Sequence, residues 1–150
     1  MKILFLDDMP ERHEAFNGWV GEMAKGKLPI VAHAYNAKDA ISWLETGEGW
    51  DLIFLDHDLG EQHYMDRPTG EGAFTSTHDG ECGCEVMQHI ITHGPWDKPV
   101  IVHSYNAPAA KKMVNMMLDA LHEVANLETE PPPPPMVGWV PFGPSLKKFL

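Results

Sequence analysis

The feature that most constrains this chain is an apolar run that stops on acid: Lys2-Ile3-Leu4-Phe5-Leu6, followed at once by Asp7-Asp8. A short unbroken apolar run suits a strand buried on both faces of a parallel sheet. Pro10 and the polar stretch Glu11-Arg12-His13-Glu14 then signal a helix. The two carboxylates therefore stand at the carboxyl end of a strand. In open α/β sheets that edge binds ligands, in the crevice where the strand order reverses. Neighbouring carboxylates repel, so they either shift a pKa upward or recruit a cation. The cation is the reading carried forward.

The rest of the chain repeats the pattern. Pro10 to about Ala24 reads as a helix capped by Asp8, with Phe16, Trp19, Val20 and Met23 facing the sheet and Gly26 closing it. Residues Ile30 to Tyr35 form a second strand, and Asn36 caps a helix from Ala37 to about Glu45 striped by Ala40, Ile41 and Leu44. Trp50 to Leu55 is a third strand that again ends in acid, Asp56-His57-Asp58-Leu59-Gly60. Residues from about 60 to 82 carry no period and read as one long functional loop. A helix from Glu85 to His93 and a strand from Pro99 to Val102 follow, the latter running into His103-Ser104-Tyr105-Asn106. Ala107 to about Ala125 is the longest helix, with Met113, Met116, Met117 and Leu121 on its packed face. Residues 127–135, with prolines at 131–135, form an extended surface linker. Met136 to Val140 is a fifth strand, and a short amphipathic tail closes the chain.

Alternating strand and helix predict a doubly wound α/β fold of the flavodoxin kind: a mainly parallel five-stranded sheet, helices on both faces, one domain over residues 1–150. At 150 residues and 43% hydrophobic, the chain supports one core. No apolar stretch reaches the roughly 20 residues of a membrane span, and no signal peptide is recognisable, so the expected compartment is cytoplasmic. A net charge of −11 argues against a long nucleic-acid groove. The only arginines are Arg12 and Arg67, so phosphate recognition must be local. Cys82 and Cys84 are the only cysteines and are expected as reduced thiols. With His63 and His78 they suggest zinc, but the spacing matches no familiar zinc site. The loop is better read as a cover over the acidic edge, carrying Arg67 toward a bound phosphate.

If strands one, three and four lie side by side, Asp7, Asp8, Asp56, Asp58, His103 and Ser104 meet at one edge. That many oxygen donors suit Mg²⁺, and a nearby imidazole shifts preference toward Mn²⁺. A divalent ion there polarises a phosphoryl oxygen and lowers the pKa of a bound water, which favours attack on a phosphate ester.

Asp7-Asp8 after strand one, Asp56 after strand three and Ser104 after strand four resemble the receiver domains of two-component signalling. That resemblance makes Asp56 the phospho-accepting position. Receivers also carry a lysine before a proline after strand five, whereas this chain has Val140-Pro141. A narrower resemblance rests on Leu6-Asp7-Asp8 with Arg12, on Asp56-His57-Asp58-Leu59-Gly60, and on Val102-His103-Ser104-Tyr105-Asn106. Together these are similar to the cyclic-phosphate processing receiver domains, and they imply a phosphoesterase acting on a cyclic phosphate at an RNA end or in a small nucleotide.

Under that resemblance Asp7, Asp8 and Asp56 hold the metal, Asp58 or His57 orients or deprotonates the water, and His103 supplies a proton from a pKa near neutrality. Arg12, Ser104, Asn106 and Arg67 contact the phosphate. The blander use of Arg12 is an ion pair to Asp8 along the helix. His33, His89, His93 and His122 read as structural. Two other functions stay open: a degenerate receiver that binds metal and switches a partner, and a protein that sequesters a cyclic nucleotide uncleaved.

Overall fold

The computed structural model describes residues 1–59, 82–127 and 137–150; the long loop and the proline run lie outside the described residues. In chain order the elements are β1 (Lys2–Leu6), α1 (Pro10–Met23), β2 (Ile30–Ala34), α2 (Ala37–Glu45), β3 (Leu52–Leu55), α3 (Gly83–His93), β4 (Val100–Val102), α4 (Ala107–Leu127), β5 (Val137–Trp139) and a closing 3₁₀ helix (Pro144–Phe149). Five strands form one sheet in the order β2-β1-β3-β4-β5. Every pairing in it is parallel. The chain therefore reverses its direction of growth beside β1, and the crevice lies above β1 and β3.

Side-chain alternation along buried strands divides the core. Leu4, Leu6, Ile53, Leu55, Val100 and Val102 face one side, under α2, α3 and α4. Ile3, Phe5, Leu52, Phe54 and Ile101 face the other, under Phe16 and Val20 of α1 and Leu146 of the 3₁₀ helix. Met113 and Met117 of α4 are fully buried, whereas Met23 of α1 is 37% exposed and falls off the packed face.

The helix starts are set differently from one another. Asn36 Oδ1 accepts from Asp39 N at 2.8 Å, the expected cap of α2. The expected Asp8 cap of α1 is corrected: Met9 is the capping residue and contributes no side-chain bond. Asp7 Oδ1 instead accepts from Met9 N at 2.9 Å, which turns the first acid back over the helix start. Helix α3 begins two residues before the expected Glu85, with Cys82 Sγ accepting from Cys84 N at 3.2 Å.

Candidate functional site

Register brings the acids together. Leu6 pairs with Leu55, and Leu55 with Val102, so the three strands end level. The ladder runs one residue past each end: Asp7 N donates to Ala34 O at 3.1 Å, Asp56 N to Leu6 O at 3.0 Å, and His103 N to Leu55 O at 2.8 Å. Asp7, Asp56 and His103 are thus held by backbone bonds at the sheet's carboxyl edge, and all three are buried. Carboxylate oxygens of Asp7, Asp8 and Asp56 lie within 4.8 Å of one another.

Arg12 crosses this cluster. Its Nη1 stands 3.1 Å from Asp7 Oδ2 and 3.6 Å from Asp56 Oδ2. The guanidinium carbon lies 5.2 Å from the ring centre of Tyr105 and 5.0 Å from that of Phe142, which hold the group in place. Burial, partly offset by the Met9 amide and Arg12, raises the Asp7 pKa to about 6. Burial and then the charge of Asp7 raise Asp56 well above the usual carboxylate range.

His103 departs from expectation in its proton chemistry. Its Nε2 donates to Leu6 O at 3.1 Å, and its ring stacks on Phe5 with centroids 4.9 Å apart. Burial pushes its pKa down to about 3, not near neutrality, so the ring is neutral and Nδ1 carries a lone pair. That atom is buried with no hydrogen-bond partner among the described residues, and it faces Asp7 Oδ2 at 3.6 Å. Two acceptors facing each other in a buried site call for a proton or a cation between them. The donor set, three carboxylates and one imidazole, therefore suits Mg²⁺ or Mn²⁺.

Asp58 forms a second centre. It takes His57 Nδ1 at 2.7 Å and Asn106 Nδ2 at 3.4 Å on one oxygen, and Ser104 Oγ at 3.5 Å on the other. Asn106 Oδ1 accepts from Ala109 N at 3.3 Å, so the start of α4 orients the amide. Among the sequence-derived site residues, Asp7, Asp8, Asp56, Arg12 and His103 share the first cluster, and His57, Asp58, Ser104 and Asn106 the second. Arg67 lies outside the described residues, as do His63 and His78.

Several supporting residues escape a sequence reading. Gly83 packs so closely on the acidic strand end that a Cβ there would sit 1.8 Å from Asp56 O. His13 Nε2 donates to Asp7 O at 2.7 Å, and its Nδ1 meets Nδ1 of His33 at 2.7 Å, a partner the sequence did not reveal. Trp139 Nε1 donates to Ser104 O at 2.8 Å. A signal for His13 existed: it lies on the α1 stripe with Phe16 and Val20. The expectation of reduced thiols is corrected, because Cys82 and Cys84 are joined as a disulfide, their Cα atoms 5.1 Å apart and within the usual range for one.

Position 140, where a receiver would place its lysine, is Val140, whose N–H extends the ladder to Val102 O at 2.9 Å. Among the described residues no helix is long and apolar enough to cross a membrane.

Residues 2–119 match the model of the cyclic-phosphate processing receiver domain. No protein of curated function matches the chain. Similar solved structures include a response regulator receiver domain protein from Clostridium thermocellum, with TM-score 0.54 and 11% identity over 85% of this chain and 98% of that one. Another is the signal receiver domain of an HD-domain-containing protein from Pseudomonas fluorescens, with TM-score 0.52 and 13% identity over 84% and 94%. A fusion with a yeast Spc42 trimeric coiled coil has TM-score 0.54 and 19% identity over 77% of this chain, which spans 60% of that one. At such identities the likeness speaks to the fold, a receiver-like parallel sheet.

Proposed function

The chain belongs to the family of cyclic-phosphate processing receiver domains, and from that premise we propose that it hydrolyses a cyclic phosphate, at an RNA 2′,3′-end or in a small cyclic nucleotide. The observation that carries this reading is the convergence of Asp7, Asp8 and Asp56 within 4.8 Å, bridged by Arg12 and faced by the lone pair of His103. Asp7, Asp8 and Asp56 would hold the divalent ion, with His103 Nδ1 beside them. When bound, the ion supplies charge neutralisation on the non-bridging oxygens and a more acidic water.

The side chains divide the remaining work. Arg12 lies over the carboxylates as a cation in its own right. With a divalent ion held by the carboxylates, the Arg12 guanidinium would be available to take a phosphate oxygen. Asp58, held by His57, Ser104 and Asn106, accepts the proton of the attacking water. The new O–P bond forms as the ring P–O bond breaks. The leaving alkoxide takes its proton from solvent through the side where Asp8, Arg12 and Asn106 are partly exposed. His103 supplies no proton to the leaving group, because burial keeps the ring neutral.

A 2′,3′-cyclic nucleotide incubated with the protein and Mn²⁺ or Mg²⁺ is expected to yield a monoester on thin-layer chromatography, and Asp56→Asn to lose the activity at least about a hundredfold. Labelling of Asp56 by acetyl phosphate with no monoester would favour the signalling alternative, which the receiver-like position of Asp56 supports and Val140 opposes. Tight binding with the nucleotide recovered intact would favour sequestration.

A further inference from the structure

A second cluster of metal-ligating side chains stands behind the acidic corner. Nε2 of His57 and the sulfurs of Cys82 and Cys84 all lie within 4.8 Å of one another, and the three side chains are 0%, 0% and 8% exposed. Cys82 Sγ is 3.3 Å from His57 Nε2. The backbone fixes this arrangement: Gly83 N donates to His57 O at 2.9 Å, and Asp58 bridges to Cys82 as an isolated antiparallel pair. The glycine between the cysteines is the residue that a Cβ would drive into Asp56 O, so the Cys-Gly-Cys turn is pressed onto the Asp56-His57-Asp58 segment.

We propose that reduction of the Cys82–Cys84 disulfide opens a three-ligand site for a thiophilic divalent cation, Zn²⁺ being the type case, built from His57, Cys82 and Cys84. Three features carry it. The donors are one imidazole and two sulfurs, the set that zinc prefers and that magnesium avoids. His57 Nδ1 bonds Asp58 Oδ1 at 2.7 Å, leaving Nε2 toward the sulfurs, which is the carboxylate–histidine orientation found behind metal-ligating imidazoles. Two thiolates, one neutral imidazole and one divalent ion sum to zero charge, which suits a buried corner.

The geometry requires a modest change. Tetrahedral Zn–S and Zn–N bonds place sulfurs about 3.8 Å apart and sulfur about 3.6 Å from nitrogen. The observed 3.3 Å from Cys82 Sγ to His57 Nε2 is already close, and separating the sulfurs needs side-chain rotation of Cys84. The fourth position is left to water.

The chemistry balances with a dithiol reductant. It delivers two electrons and two protons; the Cys82–Cys84 bond breaks to two thiols, and the reductant closes to a cyclic disulfide. Metal binding then releases both thiol protons to solvent. Since Asp58 also receives Ser104 and Asn106, occupation of this site fixes the carboxylate that the hydrolysis reading uses.

Cobalt(II) is the probe, because thiolate coordination gives it a charge-transfer absorption in the near ultraviolet that carboxylates do not. The dithiol-reduced, desalted full chain is expected to gain that band with one cobalt per chain, and zinc to abolish it. The oxidised chain is expected to lack it, which tests the site without a substitution. Cys84→Ser, checked for folding by circular dichroism, is expected to lose the band under reduction, while Asp56→Asn keeps it. No band in the reduced wild-type chain at saturating cobalt, or a band that persists in Cys84→Ser, overturns the proposal. Neither result bears on the hydrolysis of cyclic phosphates.

Discussion

Asp7 carries its carboxyl group where water does not reach it, and the cost of that placement has a sign. An acid whose pKa rises from 3.8 to about 6 on folding binds more protons folded than unfolded between those values. Rising pH across that window therefore costs stability, up to about 3 kcal/mol above it. His103 runs the other way: its pKa falls from 6.5 to about 3 on folding, so falling pH across that range is what destabilises. Asp7→Asn removes the first effect while leaving an oxygen for the Met9 amide. The metal-free variant is expected to melt a few degrees above the wild-type chain at pH 7.5 and to show no such gain at pH 4, by scanning calorimetry. On the proposed metal site, magnesium is expected to raise the melting temperature of the parent and to leave that of the variant unchanged. A lower melting temperature at pH 7.5 would mean that the Arg12 ion pair outweighs the burial cost.

Among the elements, β1 and β3 were legible because unbroken apolar runs ending on acid leave few alternatives, and their level ends follow from parallel register. Helix α2 and its Asn36 cap were legible for the same local reason. The start of α3 was not. Its position depends on Gly83 meeting Asp56 O, a contact between segments far apart in sequence, and no local propensity records it. The low pKa of His103 was hidden likewise, since it arises from full burial and the nearby charge of Arg12, both set by the tertiary fold. Gly83→Ala tests this layer directly: a methyl group 1.8 Å from a backbone oxygen must push α3 off the strand end. A loss of about 3 kcal/mol, at the upper end for overpacking, is expected in urea unfolding. A loss below about 1 kcal/mol would show that α3 shifts freely.

For the whole molecule, the proposed metal site would make folding and cation binding one linked equilibrium. A cation that binds only the native chain stabilises it by RT ln(1 + [L]/Kd), about 2.7 kcal/mol at a hundredfold excess over Kd. Mg²⁺ or Mn²⁺ is expected to raise the melting temperature in a concentration-dependent way, and a chelator to reverse it; a melting temperature indifferent to both would sink the metal reading. The family match ends at residue 119, yet two contacts that complete the corner come from beyond it. Phe142 packs over Arg12, and Trp139 ties down the carbonyl of Ser104. Trimming the polypeptide to its recognisable segment would therefore keep Asp7, Asp8, Asp56 and the Tyr105 ring, but would take Phe142 from the other side of the guanidinium and set the Ser104 carbonyl loose.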